Sequence, residues 1–342
     1  MKTDGSEAAL NDYRKLRVAV VGLGGNGSSF ARLYSKHPRA DLVAACDLRE
    51  ERSDFAFSLG ATFLTDYREL AELQDLDAVS VHLPDRIHAD AALAAINAGK
   101  HAFIEKPMAT TVEDCNAIID AMDRTGLCVA VGQVLRTKDL YRRVKEVVDS
   151  GALGTIYYCE GDYMVHEFSS EEKAAKVGPT YSLQSFACSA THPLDLLRWY
   201  LGNPVEVKAM GNVGMADPSH PGDGFIAALY RWSNGCIGRV TGTWACSYDH
   251  SYQNAYGISL FGSEASIVRG RLISPDAGNE PVELARHTPA HPYDDEVDDF
   301  VNAVLDGRRP ATDARDGGNT AIAIICGIQA MESGSAIAIP NR

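Results

Sequence analysis

The chain has 342 residues, 45% of them hydrophobic and 23% charged, which is ordinary globular composition and enough length for two cores. A formal net charge of −14 leaves no basic stripe to meet phosphates, so nucleic acid is not expected as a partner. No apolar run approaches a membrane span, residues 1–12 are polar without the apolar core of a secretory signal, and eight scattered cysteines lack metal-ligand spacing; a cytoplasmic protein with reduced thiols, no membrane association and no metal is expected.

The loose tail of residues 1–12 gives way to Leu16-Arg17-Val18-Ala19-Val20-Val21, an apolar, β-branched run that reads as a buried strand. It passes directly into Gly22-Leu23-Gly24-Gly25-Asn26-Gly27 and then a helical pattern. In this spacing Gly22 allows the tight turn, Gly24 lets backbone approach a pyrophosphate, and Gly27 lets the helix pack on the strand with its first amides toward the phosphates. A second strand at residues 40–46 ends at Asp47, where a carboxylate can accept hydrogen bonds from an adenosine ribose and would repel a 2′-phosphate. Strand, turn, helix and acid agree on a dinucleotide site that favours NAD, although Arg49 and Arg52 leave room for NADP.

The alternation continues along the chain. A helix runs to Leu59, residues 61–64 form a strand, Asp66 with Glu69 looks like a helix cap, and 78–81 is another strand. It opens into His82-Leu83-Pro84-Asp85-Arg86-Ile87-His88, a loop at a strand's carboxyl end, where doubly wound sheets place their ligands. A helix at 89–98 and a strand at 100–104 lead to Glu105-Lys106-Pro107, followed by a helix from Val112 capped by Thr111 and Asp114 and a strand at 127–131. Residues 13–135 therefore read as α/β, a doubly wound parallel sheet of Rossmann type.

Beyond Gln133 the rhythm changes. After a helix at 138–149, strands are expected at 156–163, 204–210, 224–232, 236–245, 256–261 and 265–268, with Ser233-Asn234-Gly235 as a hairpin turn. Strands without intervening helices imply an antiparallel sheet, so residues 136–342 read as a second, α+β domain. Val297, Phe300, Val301, Val304 and Leu305 mark an amphipathic helix, and residues 320–332 read as another.

Two groups stand out chemically. Lys106 lies at the ligand-binding edge of the first sheet, and Pro107 restricts its backbone to extended geometry; from position alone a solvated surface charge is an equal alternative. In Thr191-His192-Pro193-Leu194-Asp195, Pro193 can open a helix that Gly202 ends, which puts His192 and Asp195 on one face as an imidazole held by a carboxylate. The plainer alternative is a capping histidine beside a helix-terminal acid, and this segment alone favours it.

The glycine turn, Asp47, the 83–88 loop, Ala98-Gly99-Lys100-His101, Glu105-Lys106-Pro107, residues 192–199 from His192-Pro193 to Arg198-Trp199, and Glu296-Val297-Asp298-Asp299-Phe300 resemble the glucose-fructose oxidoreductase, inositol dehydrogenase and rhizopine-catabolism (Gfo/Idh/MocA) family over about residues 17–340. The resemblance implies that Lys106 contacts both substrate hydroxyl and nicotinamide, that His192 handles the proton, and that Leu83, Pro84, His88 and Glu105 line the cofactor side. It also implies a large open sheet used for assembly into homodimers or homotetramers, a face that the aromatics Tyr157, Tyr230 and Trp232 would suit. One departure is Cys188, four residues before His192, where sugar and polyol dehydrogenases of the family often carry aspartate; another is Asp85, where the loop often has asparagine.

The activity implied is hydride transfer between nicotinamide and a secondary hydroxyl of a sugar, inositol or related polyol, with Lys106 polarising the oxygen and His192, supported by Asp195, moving the proton. Tyr163, His166, Tyr181, Arg136 and Trp244 are the expected substrate contacts. Alternatives are glycoside cleavage through transient oxidation and a sugar-sensing regulator without turnover.

Overall fold

A computed structural model describes residues 14–165, 185–212, 225–244, 246, 255–288 and 291–342. The first half winds as its hydrophobic periodicity predicts: β1 (Leu16–Val21), α1 (Gly25–Lys36), β2 (Ala40–Cys46), α2 (Ser53–Ser58), β3 (Thr62–Leu64), β4 (Ala78–Val81), α3 (His88–Asn97), β5 (His101–Ile104), α4 (Val112–Thr125) and β6 (Val129–Val131). These six strands lie parallel in the order β3-β2-β1-β4-β5-β6, and the winding reverses between β1 and β4. The glycine turn after β1 and the loop after β4 therefore flank the switch point, where such a sheet opens a crevice. Helix α1 buries Gly27, Phe30, Ala31 and Tyr34, one stripe at helical spacing.

The chain then forms α5 (Asp139–Asp149), β7 (Ile156–Met164), α6 (Ser185–Leu201), β8 (Pro204–Gly211), β9 (Ile226–Trp232), β10 (Ile237–Thr243), β11 (Ser259–Gly262), β12 (Ser266–Val268), β13 (Arg271–Ile273), β14 (Val282–Glu283), α7 (Tyr293–Asp306), α8 (Ala314–Ser333) and β15 (Ile337–Ala338). Among the described residues the second sheet has nine strands, ordered β14-β13-β12-β11-β7-β10-β9-β8-β15. Its pairs are antiparallel except β7 with β10, so it is the large, mainly antiparallel sheet expected.

Two expectations are corrected by packing. Pro193 does not open a helix: it sits inside α6, which begins at Ser185. Burial of the preceding turns outweighs the lost amide, and Gly161 on β7 leaves space for the ring, since a Cβ there would lie 2.7 Å from Pro193 Cβ. Tyr230 and Trp232 are not on the open face. They alternate with exposed Leu229 and Arg231 along β9, so period-two geometry turns both inward, where Tyr230 Oη donates to Ala323 O at 3.1 Å and Trp232 Nε1 to Gly202 O at 2.7 Å. Tyr157 is exposed, with Leu229, Ile237 and Met210.

The carboxyl-terminal helices return to the first sheet. Val297, Phe300 and Val301 of α7 join the core of Val18, Phe30 and Phe103, with the rings of Phe103 and Phe300 5.8 Å apart. Helix α8, capped by Asp313 accepting from Asp316 N at 3.0 Å, runs between α4 and α6 and bridges the two halves.

Candidate active site

At the switch point the glycine turn is sterically committed. Gly22 has φ +89°, and a Cβ on it would lie 2.3 Å from His82 O; one on Gly27 would lie 1.8 Å from Gly22 O. By contrast, a Cβ on Gly24 or Gly25 would meet nothing within 4 Å, and the N-cap of α1, Gly24, offers no side chain to its amides. The first turn of α1 is thus an open, positively polarised cradle shaped for a diphosphate. His82 supports it from below, its ring 4.2 Å from that of Phe30 at a 43° tilt and its Nε2 2.8 Å from Ser80 Oγ, and burial pushes its pKa down to about 3.

Asp47, at the end of β2, accepts from Leu23 N at 2.7 Å and Arg49 N at 3.0 Å, and its two oxygens take the Arg49 guanidinium at 2.9 Å each. Burial would raise its pKa, but Arg49 and the two amides outweigh that and hold the carboxyl below its ordinary range. The acid is therefore held ionised at the end of β2, bonded to the backbone of the glycine turn. These residues fit an adenine dinucleotide.

The loop after β4 and the segment after β5 are tied together. His88 hydrogen-bonds Pro107 O at 2.8 Å through Nδ1 and Leu83 O at 2.7 Å through Nε2, so it holds the loop and the Glu105-Lys106-Pro107 segment in fixed relation. Glu105 Oε1 accepts from Asn26 Nδ2 at 3.1 Å, which joins the segment to the glycine turn, and burial raises the Glu105 pKa. A neighbour not anticipated from sequence is Glu296 of α7: each carboxylate lies 3.6 Å from a Cβ built on Gly132, and burial followed by Glu105 drives Glu296 well up.

Lys106 and His192 come from different halves and meet. Lys106 Nζ donates to Cys188 O at 3.4 Å, one turn before His192 on α6. The His192 ring lies 5.5 Å from Tyr163 and 5.7 Å from His291, at interplanar angles of 26° and 28°, and 6.1 Å from Tyr256. Burial first, then Lys106, His291 and Lys138, lower its pKa well below the usual histidine value. Its Nδ1 is buried without a partner among the described residues.

Asp195 does not support His192. It accepts both Arg136 nitrogens at 2.7 Å and Thr320 Oγ at 2.9 Å, because a bidentate guanidinium satisfies a buried carboxylate better than one imidazole. The same pair removes Arg136 from the expected substrate contacts. Tyr163 stands at the site, Trp244 is buried at the end of β10, and His166 and Tyr181 lie outside the described residues. His291, Lys138 and Tyr256 cluster here without a local sequence signal; only the fold brings residues 138, 256 and 291 to position 192.

A parallel nucleotide-binding sheet joined to a large second sheet, with a lysine and a buried histidine at their junction, defines a two-part oxidoreductase architecture. The profile described as oxidoreductase family, NAD-binding Rossmann fold, matches residues 16–133, and the GFO/IDH/MocA C-terminal domain matches residues 141–268. A 1-carboxy-3-chloro-3,4-dihydroxycyclohexa-1,5-diene dehydrogenase of Comamonas testosteroni is 30% identical over 236 residues, 66% of this chain but only 57% of that enzyme's length. Inositol 2-dehydrogenase 3 of Saccharopolyspora erythraea is 30% identical over 95% of both chains. The fold of myo-inositol 2-dehydrogenase from Lactobacillus plantarum superimposes with a TM-score of 0.80 over 96% of this chain and 100% of that one, at 24% identity. The chain belongs to the GFO/IDH/MocA oxidoreductase family and carries its NAD-binding Rossmann domain.

Proposed function

We propose that the protein is an NAD-dependent dehydrogenase that acts on a secondary hydroxyl of a sugar, inositol or related polyol. The observation that carries this reading is the meeting of Lys106 with the helix of His192 beside the glycine cradle. NAD, when bound, supplies the hydride acceptor. Lys106 offers an ammonium proton to the reacting oxygen and steadies negative charge as it develops. His192, kept neutral by burial and its cationic neighbours, is ready to take the hydroxyl proton. Glu105, His88 and Asn26 keep the lysine's backbone fixed to the glycine turn, so cofactor and proton-transfer groups stay in register. The relatives are named as dehydrogenases of inositol and of a dihydroxycyclohexadiene, both hydroxylated rings, which supports a cyclic polyol or sugar here.

NAD is the preferred coenzyme in this reading, since Asp47 already neutralises Arg49 and presents its charge at the ribose. Eight free cysteines, six of them buried, support a reducing cytoplasmic setting, and among the described residues no helix is long and apolar enough to cross a membrane. The exposed apolar residues of the second sheet, Tyr157, Leu229, Ile237 and Met210, support assembly of copies through that face. The test is a panel of inositols and sugars with NAD and with NADP, followed by nicotinamide absorbance. Reduction of NAD by at least one polyol is expected; release of sugar without net cofactor change, or binding with no turnover, would overturn the dehydrogenase.

A further inference from the structure

Lys106 has its work in the reaction proposed above, but a second ammonium that acts on His192 has none. Lys138, at the start of α5, is only 6% exposed; its Nζ donates to Thr288 O at 2.7 Å and lies 5.9 Å over the Tyr256 ring, which is itself 6.1 Å from His192. One carbonyl takes one of three ammonium protons. Among the described residues Lys138 forms no ion pair, an arrangement that a buried cation rarely keeps unless something else supplies the charge. Burial brings its pKa down to about 8, so at neutral pH it is still charged.

The groups around it do not cancel that charge. His192 and His291, which both feel the Lys138 charge, are driven toward the neutral form. Lys138, His287, Thr288 and His291 line a cavity of about 540 Å³. Its acids, Asp139, Asp294 and Asp295, are exposed to solvent; Asp139 already lies 3.6 Å from Arg143, and Arg142 acts on Asp295. His291 Nδ1 is buried without a partner among the described residues, and its ring lies 5.7 Å from that of His192. Arg142 and Arg286 also line the cavity but are exposed to solvent, so Lys138 is the one buried cation among its lining residues. A single buried point charge with a neutral imidazole beside it suits a monoanion better than a phosphate, which calls for several cations or a guanidinium fork.

We propose that the polyol carries a carboxylate, bound by Lys138 with His291 beside it, so that the substrate is a sugar acid or a carboxylated cyclic polyol held with its reacting hydroxyl between Lys106 and His192. This rests on the dehydrogenase reading and narrows it. The test uses NADH-loaded protein titrated with D-glucuronate, D-glucose and D-glucose 6-phosphate, and with D-galacturonate against D-galactose, read by cofactor fluorescence. At least one acid should bind about tenfold or more tighter than its neutral partner, the worth of one charged hydrogen bond. Lys138→Met should erase that preference while still binding NADH as the parent does, and Lys138→Arg should restore it. Equal binding of acid and neutral sugar, tighter binding of the phosphate, or a preference that survives Lys138→Met would overturn the carboxylate while leaving the dehydrogenase standing. Failure of every sugar to bind the NADH complex would overturn both.

Discussion

Asp195 stands three residues from His192, and its chemistry is spent elsewhere. A buried carboxylate bonded to Arg136 and Thr320 is a structural link between α6, the segment before α5 and α8. Removing the charge from such a pair costs about 3–5 kcal/mol, so Asp195→Asn should lower the melting temperature strongly. The folded fraction of that variant should keep the parent's pH profile, because His192 does not lean on this acid; a shifted profile would restore the dyad. The proposed oxidation uses neutral His192, whose pKa lies well below the ordinary value of about 6.5. The acid limb of kcat/KM should therefore fall only well below that pH. At the other end of the cofactor, replacing Asp47 by Ala removes the charge that opposes a 2′-phosphate and frees Arg49 to meet one. The NADP to NAD ratio of kcat/KM should rise about tenfold or more, and an unchanged ratio would show that Asp47 does not select the coenzyme. The turn at Gly22, the close approach at Gly27 and the strand-end position of Asp47 could be read from local spacing because a strand, a turn and a helix dictate them; the partners of Asp195 and His192 could not, because they arrive from residues 136, 256, 291 and 320.

Elements with a strong period were legible to within a residue or two. β1, β2 and β4 follow from apolar, β-branched runs, and α4 from Thr111, whose Oγ accepts from Asp114 N at 3.0 Å. The misses have physical causes. Pro193 reads locally as a helix start, yet packing carries α6 across it, and β13, β14 and β15 are too short to show a period. The direction in which β9 faces depends on register, so Tyr230 and Trp232 could be placed on either side until the sheet was formed. Helix α7 allows a test at this scale. Glu296 has a raised pKa in the fold, so its contribution is favourable below the unfolded value of about 4.3 and is lost as pH rises through the folded value. Glu296→Gln removes that loss. Its melting temperature relative to the parent should climb from pH 4 to pH 8, and a constant difference would mean that Glu296 ionises freely.

At the scale of the whole molecule, the site exists because the chain crosses between its sheets more than once. The first sheet provides the cradle and Lys106, α6 on the second sheet provides His192, and α7 and α8 return to lock the halves through Phe300 against Phe103 and through Asp195 with Thr320. Fold class was readable from the change in strand rhythm, whereas this return was not, since an amphipathic helix does not say which sheet it covers. The most direct test of the central claim is a single-turnover measurement with the polyol that turns over best, comparing NADH formation by the parent and by Lys106→Ala after both are shown to bind NAD. The variant should bind NAD but form NADH about 10²–10³-fold more slowly, the loss typical of one donor at a developing oxyanion. Equal rates would contradict the assignment of Lys106, and with it the reading of the junction as the place where hydride moves.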